Sequence, residues 1–280
     1  MKTKLQEYKN HPFSMLMFIL IILSAVIMIG AMIFIIGYIL IRGIPNMKPE
    51  LFAWQFTSEN QSMMPAIINT VLMTLCTLVM AVPVGVFSAI YLAEYSKKGS
   101  KIVKLIRMTV ETLSGIPSIV YGLFGFLAFV IALHWQYSFI SGAITLAIMV
   151  LPLIMRTTEE ALLAVPDSYR EGSYGLGAGK LRTIFKIILP AAMPGILAGV
   201  ILAVGRIVGE TAALIFTAGT TAAVPENIFS STRTLAVHMY CLLSEGLYMD
   251  QAYATAVVLL VMVIIINALS SFLAKKLTKN

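Results

Sequence analysis

Charge is scarce in this chain. Asp, Glu, Lys and Arg make up 12% of its 280 residues, against roughly 25% in ordinary soluble domains, which excludes a surface solvated on all sides. Cysteine is scarcer: Cys76 and Cys241 are too few and too far apart for a disulfide framework or a zinc site, and they say little about redox compartment. The histidines, His11, His134 and His238, are scattered. No metal-ligand pair or nucleophile elbow accompanies them, so an intramembrane enzyme lacks its catalytic constellation and no cofactor is implied. Period-two alternation is also missing, which argues against a β-barrel. What remains is apolar: 59% of the residues are hydrophobic and the mean hydropathy is +0.91. The chain reads as an all-α integral membrane protein.

Apolar runs of roughly 20 residues mark the spans. Phe13–Ile41 is charge-free and longer than the apolar region of a cleaved signal peptide, so it is expected to remain as the first span. Further spans are predicted over 64–93, 108–133 with Glu111 near its start, 138–155, 191–218 and 252–274. The stretch "LAVHMYCLL" is too short to cross and is expected at a membrane surface or in a protein interface. Residues 1–62 form an N-terminal span and outer loop, and residues 63–280 a core of five spans with a long loop over 156–190. Prolines 83, 117 and 152 interrupt spans, where they kink the helix and remove a donor.

The net charge of +7 would fit a nucleic-acid partner only if the basic residues were spread along a binding face. They cluster beside the spans instead. With the N-terminus cytoplasmic, sixteen Lys and Arg fall inside, including Lys2, Lys4, Lys9, Lys98 and Lys279, against Arg42, Lys48 and Arg233 outside. This bias predicts both termini in the cytoplasm and explains the basicity without nucleic acid.

The loop over 156–190 has its own pattern. Pro166 suits a first helical turn, Asp167 and Glu171 suit its positive end, and Gly175, Gly177 and Gly179 end it. Gly177 is expected to reverse the chain with a positive φ. Beyond it Leu181, Ile184, Phe185 and Ile188 recur at helical spacing, predicting a helix on the inner membrane surface before the chain re-enters at Pro190. "GLGAGKLRT" is no phosphate-binding loop, because Tyr174 replaces the first glycine and Leu181 the hydroxyl residue. The spacing Glu171, Gly172, Ser173, then Gly177, then Ile187, Leu189 and Pro190 resembles the coupling loop of binding-protein-dependent ABC transporter permeases. That family's two alanines are here Gly172 and Ser173, both still small. The resemblance implies a type I importer fold with six spans, a short helix that inserts into a separate ATPase, and no ATPase site in this chain.

The fifth predicted span carries two charges in "GRIVGETAAL", Arg206 and Glu210. At 1.5 Å per residue Arg206 lies roughly 24 Å beyond Pro190, past the midplane of a core about 30 Å thick. On a helical wheel Gly199, Ala203, Arg206, Gly209, Glu210, Ala213 and Thr217 share a face of small residues around the charges. Two readings stand: an i, i+4 ion pair that fixes packing, or space kept beside a guanidinium for a tetrahedral oxyanion such as phosphate. This segment and "ETLSGIPSIVYGLFG" resemble the permease subunits of Pst-type bacterial phosphate ABC importers. What the resemblance implies is a cytoplasmic-membrane importer with a PstC-like sister permease, a PstB-like ATPase dimer and a PstS-like phosphate-binding protein. Arg206 and Glu210 then take positions on the substrate path, and Ala213 stands where many relatives have proline. Another oxyanion (sulfate, molybdate or phosphonate) is the close alternative; a channel or secondary carrier needs no ATPase dock.

Overall fold

The computed structural model describes residues 12–97 and 99–277, which form helices and connecting loops without a strand. His11, one of the scattered histidines, and Lys2, Lys4, Lys9, Lys98 and Lys279 of the charge reading lie outside the described residues. Among those described, five helices are long and apolar enough to cross a membrane, and a helix pair bent by 101° makes a sixth only when taken as one span.

Helix α1 (Pro12–Gly43) is apolar on every side and almost wholly exposed. It touches the rest of the protein near its end, where Gly43 lies against the Tyr253 carbonyl and Val257, and where the Tyr38 and Tyr253 rings meet edge to face at 5.8 Å. Both contact residues belong to the last span, α11 (Met249–Leu277).

The core is built from α2 (Met64–Ile90), α5 (Phe139–Leu163) and α8 (Leu189–Val208). Apolar burial drives little association within lipid, so small residues that let helices approach decide the packing. A Cβ on Gly85 would come within 2.7 Å of Ile154, and one on Gly195 within 2.6 Å of Ala161. Met73, Leu146, Met149, Val150 and Ile154 fill the centre with at most 1% exposure.

Three of the predicted spans are redrawn. The third is two helices, α3 (Lys101–Ser114) and α4 (Ser118–Gly125), with axes 101° apart; α4 continues as a π-helical segment, Phe126–Ala132. Pro117 at the N-cap of α4 and Gly115 at the end of α3 place the bend where a donor is missing and a side chain is absent. The fourth span runs on to Leu163, with Arg156 and Glu160 paired at 2.9 Å on the exposed side of the same helix. In the fifth, α8 stops at Val208, and a separate short helix, α9 (Ala212–Thr217), follows Gly209–Thr211. Helix α9 packs along α4, so closely that a Cβ on Gly122 would lie 2.8 Å from the Ala213 Cα.

The short stretch that includes "LAVHMYCLL" forms α10 (Leu235–Glu245), packed on α11 and the start of α2. Arg233, read from the sequence as a loop residue, is 6% exposed, and its guanidinium carbon lies 4.6 Å from the centre of the Phe56 ring. Burial, with Arg233 nearby, pushes the His238 imidazole down to about 3, so this histidine is neutral at any physiological pH.

Candidate functional site

The loop between α5 and α8 holds a short helix, α6 (Asp167–Gly175), opened by Pro166. Gly177 has φ +79, as its place in the sequence requires. Two bonds close the helix: Ala178 N–H donates to the Ser173 carbonyl at 3.1 Å and Gly177 N–H to the Tyr174 carbonyl at 2.9 Å. This is a Schellman ending with glycine in the left-handed position. Glu171 and Gly172 face outward, and Leu176 projects at the tip with 90% exposure. Ser173 turns inward, and its hydroxyl lies 2.8 Å from that of Thr183.

Beyond α6 the chain does not lie on the membrane surface and re-enter. Helix α7 (Lys180–Thr183), a π turn over Ile184–Ile188 and α8 run on as one rod, 180–208. The wide turn just ahead of Pro190 accommodates the proline, which has no N–H for a regular ladder. Ile184 and Ile188 are fully buried against Ala89, Ile90, Leu162 and Val165, with Ile187 and Leu189 packed beside them. Those apolar positions root the loop in the packed helix core; Glu171, Gly172 and Leu176 are its outward face.

Arg170 joins the two and was not singled out in the sequence. Its Nη2 lies 2.6 Å from Glu94 Oε1 at the end of the π turn Tyr91–Tyr95 that closes α2. The same guanidinium donates to the carbonyls of Val165 at 2.8 Å and Leu162 at 3.0 Å, and to Asp167 at 3.1 Å. Side-chain exposures of 14% for Arg170 and 6% for Glu94 make this an enclosed pair. The only sequence signal was a lone carboxylate at the end of a predicted span.

The membrane charges are arranged differently from the helical wheel. Gly199 faces Thr157 of α5, while Ala203, Ala213 and Thr217 are buried. That part of the small-residue stripe is a helix-packing seam, whereas beside Arg206 a Cβ on Gly205 would meet nothing within 4 Å and Gly209 is exposed. Because the helix breaks between them, Arg206 and Glu210 form no ion pair. Glu210, 8% exposed, folds onto the start of α9, where its Oε1 accepts the Ala213 N–H at 3.0 Å. Arg206 sits half-buried in the last turn of α8, where the helix's negative end favours a cation. Among the described residues its guanidinium has no hydrogen-bond or carboxylate partner. Tyr121 of α4 is its electrostatic neighbour.

A model of the family described as "Binding-protein-dependent transport system inner membrane component" matches residues 81–280. The chain belongs to this family. The permease is 34% identical over 285 residues to "Probable ABC transporter permease protein YqgI" of Bacillus subtilis (strain 168), covering 92% of this chain and 95% of that one. It is 41% identical over 179 residues to "Phosphate transport system permease protein PstA" of Yersinia pestis, covering 63% of this chain and 60% of that one. Among solved structures, a bacterial alginate ABC transporter in complex with an alginate pentasaccharide-bound periplasmic protein superposes with a TM-score of 0.71 at 15% identity, over 98% of both chains. That likeness gives the type I importer permease fold. The permease is thus a multi-pass inner-membrane subunit that works with a separate ATPase and a substrate-binding protein, and its fold is not itself catalytic.

An ATPase-docking role for the loop around α6 can be tested at Gly177. A valine at Gly177 meets no neighbour, since open space surrounds the missing Cβ, but it is forced into a left-handed backbone that suits no β-branched residue. Gly177→Val is expected to leave insertion intact and to weaken co-purification with the ATPase or uncouple hydrolysis from uptake. Full transport by that variant removes the docking role.

Proposed function

We propose that this permease forms the inorganic phosphate path of an ATP-driven importer, together with a sister permease, and is moved by an ATPase dimer that grips α6. One observation carries the reading: among the described residues Arg206 is a spanning-segment guanidinium without a carboxylate partner, in a chain 41% identical over 179 residues to a permease named for phosphate transport. A permanent planar cation offers two parallel donors to a tetrahedral oxyanion and offsets part of its desolvation. Glu210 sets the geometry of the helix break beyond it and limits how long an anion stays, through repulsion.

On this reading a phosphate-binding protein delivers the anion to the outer mouth. ATP-driven closure displaces α6, and Arg170 passes the movement to α2 through Glu94 and to α5 through the carbonyls of Leu162 and Val165. Phosphate-loaded binding protein should stimulate ATP hydrolysis by the reconstituted complex, and excess sulfate should not reduce phosphate uptake. Equal competition by sulfate, molybdate or phosphonate reassigns the cargo to that oxyanion.

The orientation follows the charge bias: termini and α6 in the cytoplasm, the loop before α10 outside. Single cysteines at Lys180 and Glu226, in a background lacking Cys76 and Cys241, test it. An impermeant thiol reagent should label position 226 in intact cells and position 180 only in inverted vesicles; the reverse pattern overturns the orientation.

A further inference from the structure

A cleft of about 680 Å³ opens beside α6, between the end of α2 and the start of α3. Four cationic side chains, Lys97, Lys104, Arg107 and Arg170, line it against the carboxylates of Glu94 and Asp167. Both carboxylates are engaged by Arg170, and Arg107 is held by Glu159 at 2.6 Å. Lys97 and Lys104 are left without an ion-pair partner among the described residues, and Ser96 and Ser100 line the same cleft.

Helix α3 adds a second, independent feature. Val103 is buried and Arg107 reaches across to Glu159 of α5, so this side of α3 faces the protein. A different side carries Ile102, Leu105 and Met108, exposed at 70%, 61% and 55% and spaced three residues apart. The axis of α3 stands 101° from that of the segment that follows it. With Ser118–Ala132 directed across the bilayer, α3 runs along its surface. There an apolar row enters the acyl region and neighbouring lysines stay at headgroup depth.

We propose that the cleft binds the phosphate of an anionic phospholipid, gripped by Lys97 and Lys104, with the acyl chains against Ile102, Leu105 and Met108. Inorganic phosphate shares the headgroup's chemistry, but it has no use for an apolar row within two turns of the lysines. The site requires only membrane embedding, so it stands apart from the identity of the cargo. It sets a bound lipid beside the Arg170–Glu94 link through which α6 is joined to the spans.

The test uses the intact importer complex in nanodiscs of phosphatidylcholine with and without phosphatidylglycerol. These present lipid to both faces, so the result does not depend on orientation. Native mass spectrometry should find phosphatidylglycerol retained in preference to phosphatidylcholine. Lys97→Gln with Lys104→Gln should weaken that retention roughly 30-fold, as expected for two surface lysines acting on an anionic headgroup. Ile102→Gln with Leu105→Gln, which leaves the charge alone, should weaken it as well. Unchanged retention in the lysine variant overturns the proposal. Displacement of the lipid by inorganic phosphate reassigns the cleft to a free anion and overturns it too. Retention seen only after the ATPase subunits are stripped away assigns the cleft to the protein interface, with the same consequence.

Discussion

Arg206→Gln should lower phosphate uptake roughly 10- to 150-fold while the subunit inserts and assembles normally. A hydrogen bond to a charged group contributes about 1.5–3 kcal/mol, and glutamine keeps a donor but loses the charge. Normal assembly is part of the expectation because Arg206 and Glu210 are not paired. Removing one partner of a buried pair strands the other at a cost of about 3–5 kcal/mol, but here Glu210 already has the Ala213 N–H. Lysine should restore uptake only in part, since it supplies a point charge without the planar fork. The companion changes separate the roles. Glu210→Gln retains an oxygen that can accept from Ala213 and should leave assembly intact. Glu210→Ala loses the local acceptor, an N-cap-like loss of about 1 kcal/mol. Near-normal uptake by Arg206→Gln removes the guanidinium from the anion path, and misassembly rescued by adding Glu210→Gln restores the packing-pair reading.

Arg170→Gln is expected to have the larger effect on the assembled complex. It strands Glu94, 6% exposed, and weakens the grip on two carbonyls at the end of α5. A loss of about 3–5 kcal/mol is expected for breaking an enclosed pair, visible as a lower denaturation temperature in detergent. Adding Glu94→Gln removes the stranded charge and should recover most of the stability. Coupling should not recover, because two neutral amides do not hold α6 to α2 as a charged, multiply bonded guanidinium does. ATP hydrolysis per phosphate imported should therefore stay high in the double variant. Tight coupling in a stable double variant would falsify the assignment of Arg170 as a positioning residue.

Much of the architecture was legible because lipid imposes simple demands. Long apolar runs have one dominant physical cause and placed α2, α5 and α11, and the glycine run 175–179 placed the end of α6 with Gly177 at positive φ. What could not be read were breaks inside spans. A helical wheel assumes an unbroken helix, so it paired Arg206 with Glu210 although the helix ends at Val208, between them. Similarly, hydropathy cannot tell a straight third span from α3 and α4 meeting at 101°. Arg170 escaped notice because its partner, Glu94, is 76 residues away in sequence. Pairings at that distance leave no periodicity to detect. Proline 190 was read as a re-entry point, whereas a widened turn lets the rod continue through it.

The contact between the first and last spans sets a schedule for biogenesis. Tyr38 and Tyr253, which touch at the end of α1, are separated by 215 residues. At a synthesis rate of 5–20 residues per second, α1 enters the bilayer roughly 10–40 s before its partner exists. Through that interval it lacks this contact, and its uniformly apolar circumference, without a polar face to conceal, suits it to wait in lipid.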